Sequence, residues 1–159
     1  MLLVLCGVLT ACVAGIAGTG ARQYPGELEF YLQPVDEQGV CAVTVGVRNL
    51  SGERQGEAHL RLDWFQGRKV ILRDQFSRLD PVDVGRYDAK NIEVPSKCSA
   101  IERVRIRSAV WRLGWDITED KWVPIDTVDG AEVRFRWDES SGYFVGRTGS
   151  AVDELPAQR

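Results

Sequence analysis

A period of two in the apolar residues governs what this chain can fold into. Leu60, Leu62 and Trp64 alternate with His59, Arg61, Asp63 and Phe65, and Cys41, Val43, Val45 and Val47 alternate with Ala42, Thr44, Gly46 and Arg48. Successive side chains of an extended strand point to opposite faces, so each run offers one face for burial and one for water. The first run predicts a strand that exposes Arg61 and Asp63; the second puts Cys41 on the buried face beside the valines. The same rule sets Val104, Ile106 and Val110 opposite Arg103, Arg105 and Arg107, and Val133, Phe135 and Trp137 opposite Glu132, Arg134 and Arg136. Leu28 to Gln33, Lys69 to Arg73, Ala89 to Val94 and Tyr143 to Val145 read as further short strands, divided by Gly-, Pro- and Asp-bearing turns. Trp111 to Trp122 fits either a long hairpin or a loop with a helical turn.

Short strands at turn-separated intervals predict an all-β domain, a two-layer antiparallel Ig-like sandwich with one disulfide; an open barrel is the alternative. The glycine fingerprint and strand-helix alternation of a dinucleotide-binding fold are missing. Cys41 and Cys98 are the only cysteines beyond the first 21 residues. Behind an export signal an even pair reads as a disulfide, and inward alternation on facing sheets points both sulfurs into the core. The expected organisation is a leader over 1–21, a short tether over 22–27, the sandwich over 28–147 and a loose tail over 148–159.

The leader, MLLVLCGVLTACVAGIAGTGA, carries no charged side chain before Arg22. Leu2 to Leu9 suits the apolar centre of a signal peptide, followed by small residues, although no basic segment precedes it. Leu9-Thr10-Ala11-Cys12 resembles a bacterial lipobox, which implies lipidation of Cys12 and membrane attachment through its acyl chains. Val13 after that cysteine, in place of aspartate, resembles the outer-membrane sorting pattern. The expected location is therefore the bacterial cell envelope, as an outer-membrane lipoprotein facing the periplasm. Secretion after cleavage within the Gly/Ala-rich stretch, and an uncleaved anchor, are the alternatives.

Val43-Thr44-Val45-Gly46-Val47-Arg48-Asn49, then Leu60 to Phe65 before a glycine turn, then Pro81 to Gly85, together resemble an Ig-like envelope domain of the FxLYD kind. In that family the asparagine ends one strand and the aromatic pair belongs to the next. Trp64-Phe65 is here followed by Gln66-Gly67 and not by an aromatic-aspartate ending. A looser likeness joins the chain to small outer-membrane lipoproteins with a strand-Trp-aromatic-turn segment. These resemblances imply an Ig-like fold and no catalytic set.

Charge excludes little but weighs against nucleic acid. The 20 Lys and Arg are interspersed with 23 Asp and Glu, for a net charge of -3, whereas a phosphate backbone calls for a concentrated basic patch. His59, the sole histidine, alternates outward with Arg61 and reads as a surface residue without a partner for base catalysis. The carboxylates at Asp36-Glu37, Asp80 and Asp83, Asp116 with Glu119-Asp120, and Asp126 with Asp129 read as turn caps; two brought together would instead make a hydrolase pair. Two oxidised cysteines and one histidine make no zinc set, and no cofactor is required. Gly146-Arg147-Thr148-Gly149 lacks the rest of a phosphate loop and reads as a turn.

Two features point to a partner. Arg103, Arg105 and Arg107 form a basic stripe on one strand face, for which pairing with Glu132 or Asp138 across strands is the ordinary explanation. Trp111, Trp115 and Trp122, interleaved with Arg112, either complete a small core or contact a protein or glycan. The expected function is a non-enzymatic envelope domain presenting a protein-binding surface, an accessory or assembly factor with an envelope protein as partner. A carbohydrate or cell-wall binding module and a carboxylate-dependent hydrolase are the alternatives.

Overall fold

The computed structural model describes residues 23–34, 39–113 and 121–149. Among them lie ten strands: β1 (Gly26–Gln33), β2 (Cys41–Asn49), β3 (Gln55–Gln66), β4 (Lys69–Leu79), β5 (Tyr87–Val94), β6 (Arg103–Leu113), β7 (Trp122–Pro124), β8 (Glu132–Arg134), β9 (Arg136–Asp138) and β10 (Tyr143–Arg147). They form two antiparallel sheets, ordered β5-β2-β1-β10-β9 and β4-β3-β6-β7, with β8 also paired to β6. The order β1-β2-β5 facing β4-β3-β6-β7 is the connectivity of an Ig-like sandwich. The last strand, β10, adds to the free side of β1, setting Glu29 opposite Arg147 and Leu32 opposite Phe144.

Alternation does the packing. Leu28, Phe30, Leu32, Val43, Val45 and Val47 from one layer meet Leu60, Leu62, Trp64, Val104 and Ile106 from the other, all buried. At the centre Trp64 stacks on Phe135 with 6.0 Å between centroids, and the Phe30 ring meets both edge-on. The Trp64 indole N–H donates to Gln75 Oε1 at 2.6 Å, so this ring is both packed and satisfied. Cys41 and Cys98 are disulfide-bonded with their Cα atoms 4.8 Å apart. The bridge ties β2 of one layer to the short 3-10 turn Cys98–Ala100 that leads into β6 of the other.

Two bulges shift the expected faces. On β6, Arg61 faces Ser108 while Leu62 faces Ile106, so Arg107 is an extra residue and the parity reverses beyond it. Ala109 and Trp111 therefore point into the core, and Val110 does not. On β4, Trp64 faces Leu72 and Leu62 faces Gln75, which inserts Arg73 and Asp74 opposite Asp63. Asp74 adopts a left-handed φ of 53°, and its N–H donates to Asp63 Oδ1 at 2.8 Å. Asp63 is consequently buried, not exposed, and β4 runs on past Arg73 to Leu79.

Val133, Phe135 and Trp137 do not share one strand. β8 pairs with β6 in one sheet and β9 with β10 in the other, so the chain changes layers at Phe135 and Trp137 emerges half-exposed against Phe144. The ends of the folded region also lie outside the expected limits. The Tyr24 N–H bonds the Asp126 carboxylate, Pro25 bridges to Asp126, and β1 begins at Gly26. At the other end Thr148 is buried and accepts the Leu28 N–H at 2.8 Å. Gly146 and Arg147 are strand, not turn, with Gly146 seated against Val133 and Phe135. The leader, including Cys12, lies outside the described residues.

Asn49, fully buried at the end of β2, ties one end of the sandwich together. Its Nδ2 donates to the carbonyls of Glu53 at 2.8 Å and Val82 at 2.9 Å. Its Oδ1 accepts the Ser51 N–H at 2.9 Å and the Ser51 hydroxyl at 2.6 Å. One amide thus uses both ends to fasten the β2–β3 turn to the β4–β5 loop.

Candidate functional site

The outer face of the β4-β3-β6-β7 sheet gathers most of the residues the sequence singles out. Across it Arg78, His59, Val110 and Pro124 fall in one register row, and Phe76, Arg61 and Ser108 in the next. The His59 ring lies 5.1 Å from Phe76 and 4.2 Å from Trp122, measured between centroids, so three rings from three strands form one row. His59 Nε2 is 3.2 Å from Glu57 Oε2, which holds the ring in place. The Arg61 guanidinium lies 5.9 Å from the Phe76 centroid and donates to Asp74 Oδ2 at 2.7 Å. Phe76 is 52% exposed and adds apolar ring surface to this face.

The arginine stripe continues from this row. Arg103 donates to Glu132 Oε2, Arg105 lies 3.7 Å from the same oxygen, and Arg107 is 4.0 Å from Asp63 Oδ2. Glu132 is thus the cross-strand partner. Asp138 serves elsewhere: the hydroxyl and N–H of Ser140 and the hydroxyl of Ser141 bond it, and these bonds hold its carboxyl below the usual range. Arg103 and Arg105 also lie 4.1 and 5.1 Å from the Phe65 centroid, sealing an outward-pointing ring that is only 5% exposed. Apart from Arg103, at 19%, and Asp74, at 44%, the two signs of charge differ in burial. The side chains of Arg61, Arg78, Arg105 and Arg107 are 50–56% exposed, against 12–34% for Glu57, Asp63 and Glu132.

The three tryptophans do not form one surface. Trp111 is fully buried in the core, Trp122 lies on the outer face across from Arg112, and Trp115 falls outside the described residues. The hairpin explains the division: Arg112 pairs with Trp122, so Trp111 lies on the opposite face of β6. Phe76 went unmarked in the sequence because the bulge at Asp74 interrupts the pattern of β4. Past the bulge the signal is plain, with Phe76 and Arg78 exposed and Ser77 and Leu79 buried.

The described carboxylates hold separate positions in turns and ion pairs. Asp83 pairs with Arg54 at 2.8 Å, Asp88 accepts the Asp80 N–H, Asp126 holds Tyr24, and Asp129 accepts the Ala109 N–H at 2.8 Å. Among the described residues no group of three or more His, Cys, Asp or Glu could hold a metal ion, and no helix is long and apolar enough to cross a membrane. A shallow open cleft of about 220 Å³ lies at the end of the sandwich near Tyr24, Ser51 and Glu53.

The opposite outer face carries a different cluster. Glu29 is 6% exposed, takes a hydrogen bond from the Tyr31 hydroxyl at 2.8 Å and lies 3.3 Å from Arg147 Nε. Tyr87 covers Gly46 so closely that a β-carbon there would stand 1.7 Å from its hydroxyl oxygen. Burial, then the charge of Glu29, push the Tyr87 phenol up to about 12. The cluster satisfies itself and covers a glycine that would otherwise leave the sheet bare. Comparison of the chain with protein-family models, curated proteins and solved structures found no match to any of them.

Proposed function

We propose that this chain is a non-enzymatic cell-envelope lipoprotein whose sandwich presents the outer face of the β4-β3-β6-β7 sheet to an envelope protein. The observation that carries the reading is the row Phe76, His59 and Trp122, set among exposed guanidiniums on a rigid sheet. Aromatic and arginine side chains are favoured at binding hot spots because each combines a large contact area with directional polar groups. The internal disulfide supports an oxidising compartment, and Leu9-Thr10-Ala11-Cys12 supports delivery there as a lipoprotein. Of the carboxylates that would serve a hydrolase, Asp83, Asp126 and Asp129 are committed to separate turns and ion pairs, while Asp36, Glu37, Asp116, Glu119 and Asp120 lie outside the described residues.

The test is crosslinking in the native envelope with a photoreactive residue at position 76, followed by mass measurement of captured partners and of the N-terminal peptide. A protein captured reproducibly in the parent, and lost on Trp122→Ala, supports the reading. Retention of glycans in place of protein, abolished by the same substitution, replaces it with the carbohydrate-binding alternative. An intact, unlipidated chain with Cys12 unmodified removes the lipoprotein part.

A further inference from the structure

We infer that the partner segment seated on this face is an acidic peptide bearing an aromatic or aliphatic anchor. This deepens the proposed function and rests on it. The chain as a whole is acidic, with a net charge of -3, yet this one face reads as basic. Three of its guanidiniums stand further into water than the carboxylates they approach: Arg107 is 53% exposed above an Asp63 at 12%, Arg78 is 56% exposed above Glu57 at 21%, and Arg105 is 50% exposed above Glu132 at 34%, whereas Arg61 and Asp74 are both open and Arg103 is the one sunk beneath its partner.

These pairs are loose. Arg107 approaches Asp63 only to 4.0 Å, Arg78 approaches Glu57 to 3.5 Å, and Arg105 approaches Glu132 to 3.7 Å. A guanidinium presents five N–H donors in a fixed fork, so pairs of this kind leave donors over for incoming carboxylates. Between the arginines the exposed Phe76 and the rings of His59 and Trp122 offer an apolar strip for an anchor. A uniformly charged polyanion suits the face less well. Glu57, Asp63, Asp74 and Glu132 are interspersed with the arginines and would repel a run of phosphates, whereas a peptide can place its carboxylates over guanidiniums and its anchor over the rings.

Random-peptide selection on the full mature chain tests this. Selected sequences are expected to carry net negative charge around one aromatic or aliphatic residue. Their affinity should fall on the order of tenfold or more in an Arg61→Glu, Arg107→Glu variant and in Phe76→Ala, and stay unchanged in Lys90→Glu on the other sheet. Circular dichroism and the urea midpoint show whether each variant is folded, and the single variant Arg78→Glu repeats the charge test if the double variant is not. Neutral or basic selected peptides that depend on Phe76 but not on the arginines overturn the acidic partner and leave the protein-binding face standing. Peptides insensitive to Phe76, Trp122 and the arginines alike overturn both. Binding to phosphatidylglycerol vesicles that displaces the selected peptides replaces the peptide partner with a membrane surface.

Discussion

Replacing Asn49 by aspartate keeps the shape of the side chain and inverts one half of its hydrogen bonding. The Oδ1 side still accepts from Ser51, but an oxygen now lies where Nδ2 donated to Glu53 and Val82 at 2.8 and 2.9 Å. Two bonds are lost, worth about 2 kcal/mol together, and an ionised carboxyl is forced against two carbonyls in a site with no solvent exposure. The group can escape by binding a proton. Against an unfolded pKa near ~3.9, holding it protonated costs about 5 kcal/mol at pH 7.5 and about 1.5 kcal/mol at pH 5, which caps the charge penalty. Protonation also restores one donor. The expected loss for Asn49→Asp is therefore up to about 6 kcal/mol at pH 7.5, shrinking to about 2.5 kcal/mol at pH 5.

The sign follows from linkage. A carboxyl whose folded pKa is raised binds more protons folded than unfolded, so the variant recovers stability as pH falls from the raised folded value toward the unfolded one. Urea unfolding of both proteins at the two pH values, with the disulfide intact, measures the difference; Asn49→Leu, which cannot titrate, should lose the same amount at both. An Asn49→Asp loss below about 1 kcal/mol at pH 7.5, or one that does not change with pH, would refute the role given to this amide.

Two further outcomes are expected. The double substitution Cys41→Ala, Cys98→Ala opens a loop of 57 residues and should remove about 4 kcal/mol, read as a lower urea midpoint; an unchanged midpoint would contradict a link between the layers that matters to stability. Gly46→Ala should drive Tyr87 off the sheet and bring its phenol from about 12 back toward 10.0, seen in an ultraviolet titration with Tyr87→Phe as the control. Because the folded pKa is the higher one, the parent's contribution from the neutral phenol is complete below about 10 and fades as pH rises through about 12. Alkaline sensitivity should therefore be milder in Gly46→Ala, and an identical pH profile would count against the covering role.

The strands were legible because each sheet buries one face, and a period of two is how that asymmetry is written in a chain. Leu60, Leu62 and Trp64 kept their faces, and Cys41 took the inward face of β2, whereas Cys98 meets it from a 3-10 turn ahead of β6 and not from a facing strand. The bulges were not legible, since an extra residue is a matter of pairing between strands that no single strand records. That is why Val110 and Asp63 exchanged surroundings with the expectation, although an aspartate tolerating a left-handed φ was the local hint at position 74. The site divides the same way. The arginine stripe and Glu132 could be read from alternation, whereas Phe76 and the burial of Phe65 under two guanidiniums emerge only once β3, β4 and β6 lie side by side.

The place of β10 carries a consequence of timing. The hydrogen bonds that join Leu28 to Thr148 close a separation of 120 residues, so the first strand to leave the ribosome waits for nearly the last one to complete its ladder. A chain halted before residue 143 lacks β10 and holds the free edge of β1 open to pairing with a neighbour.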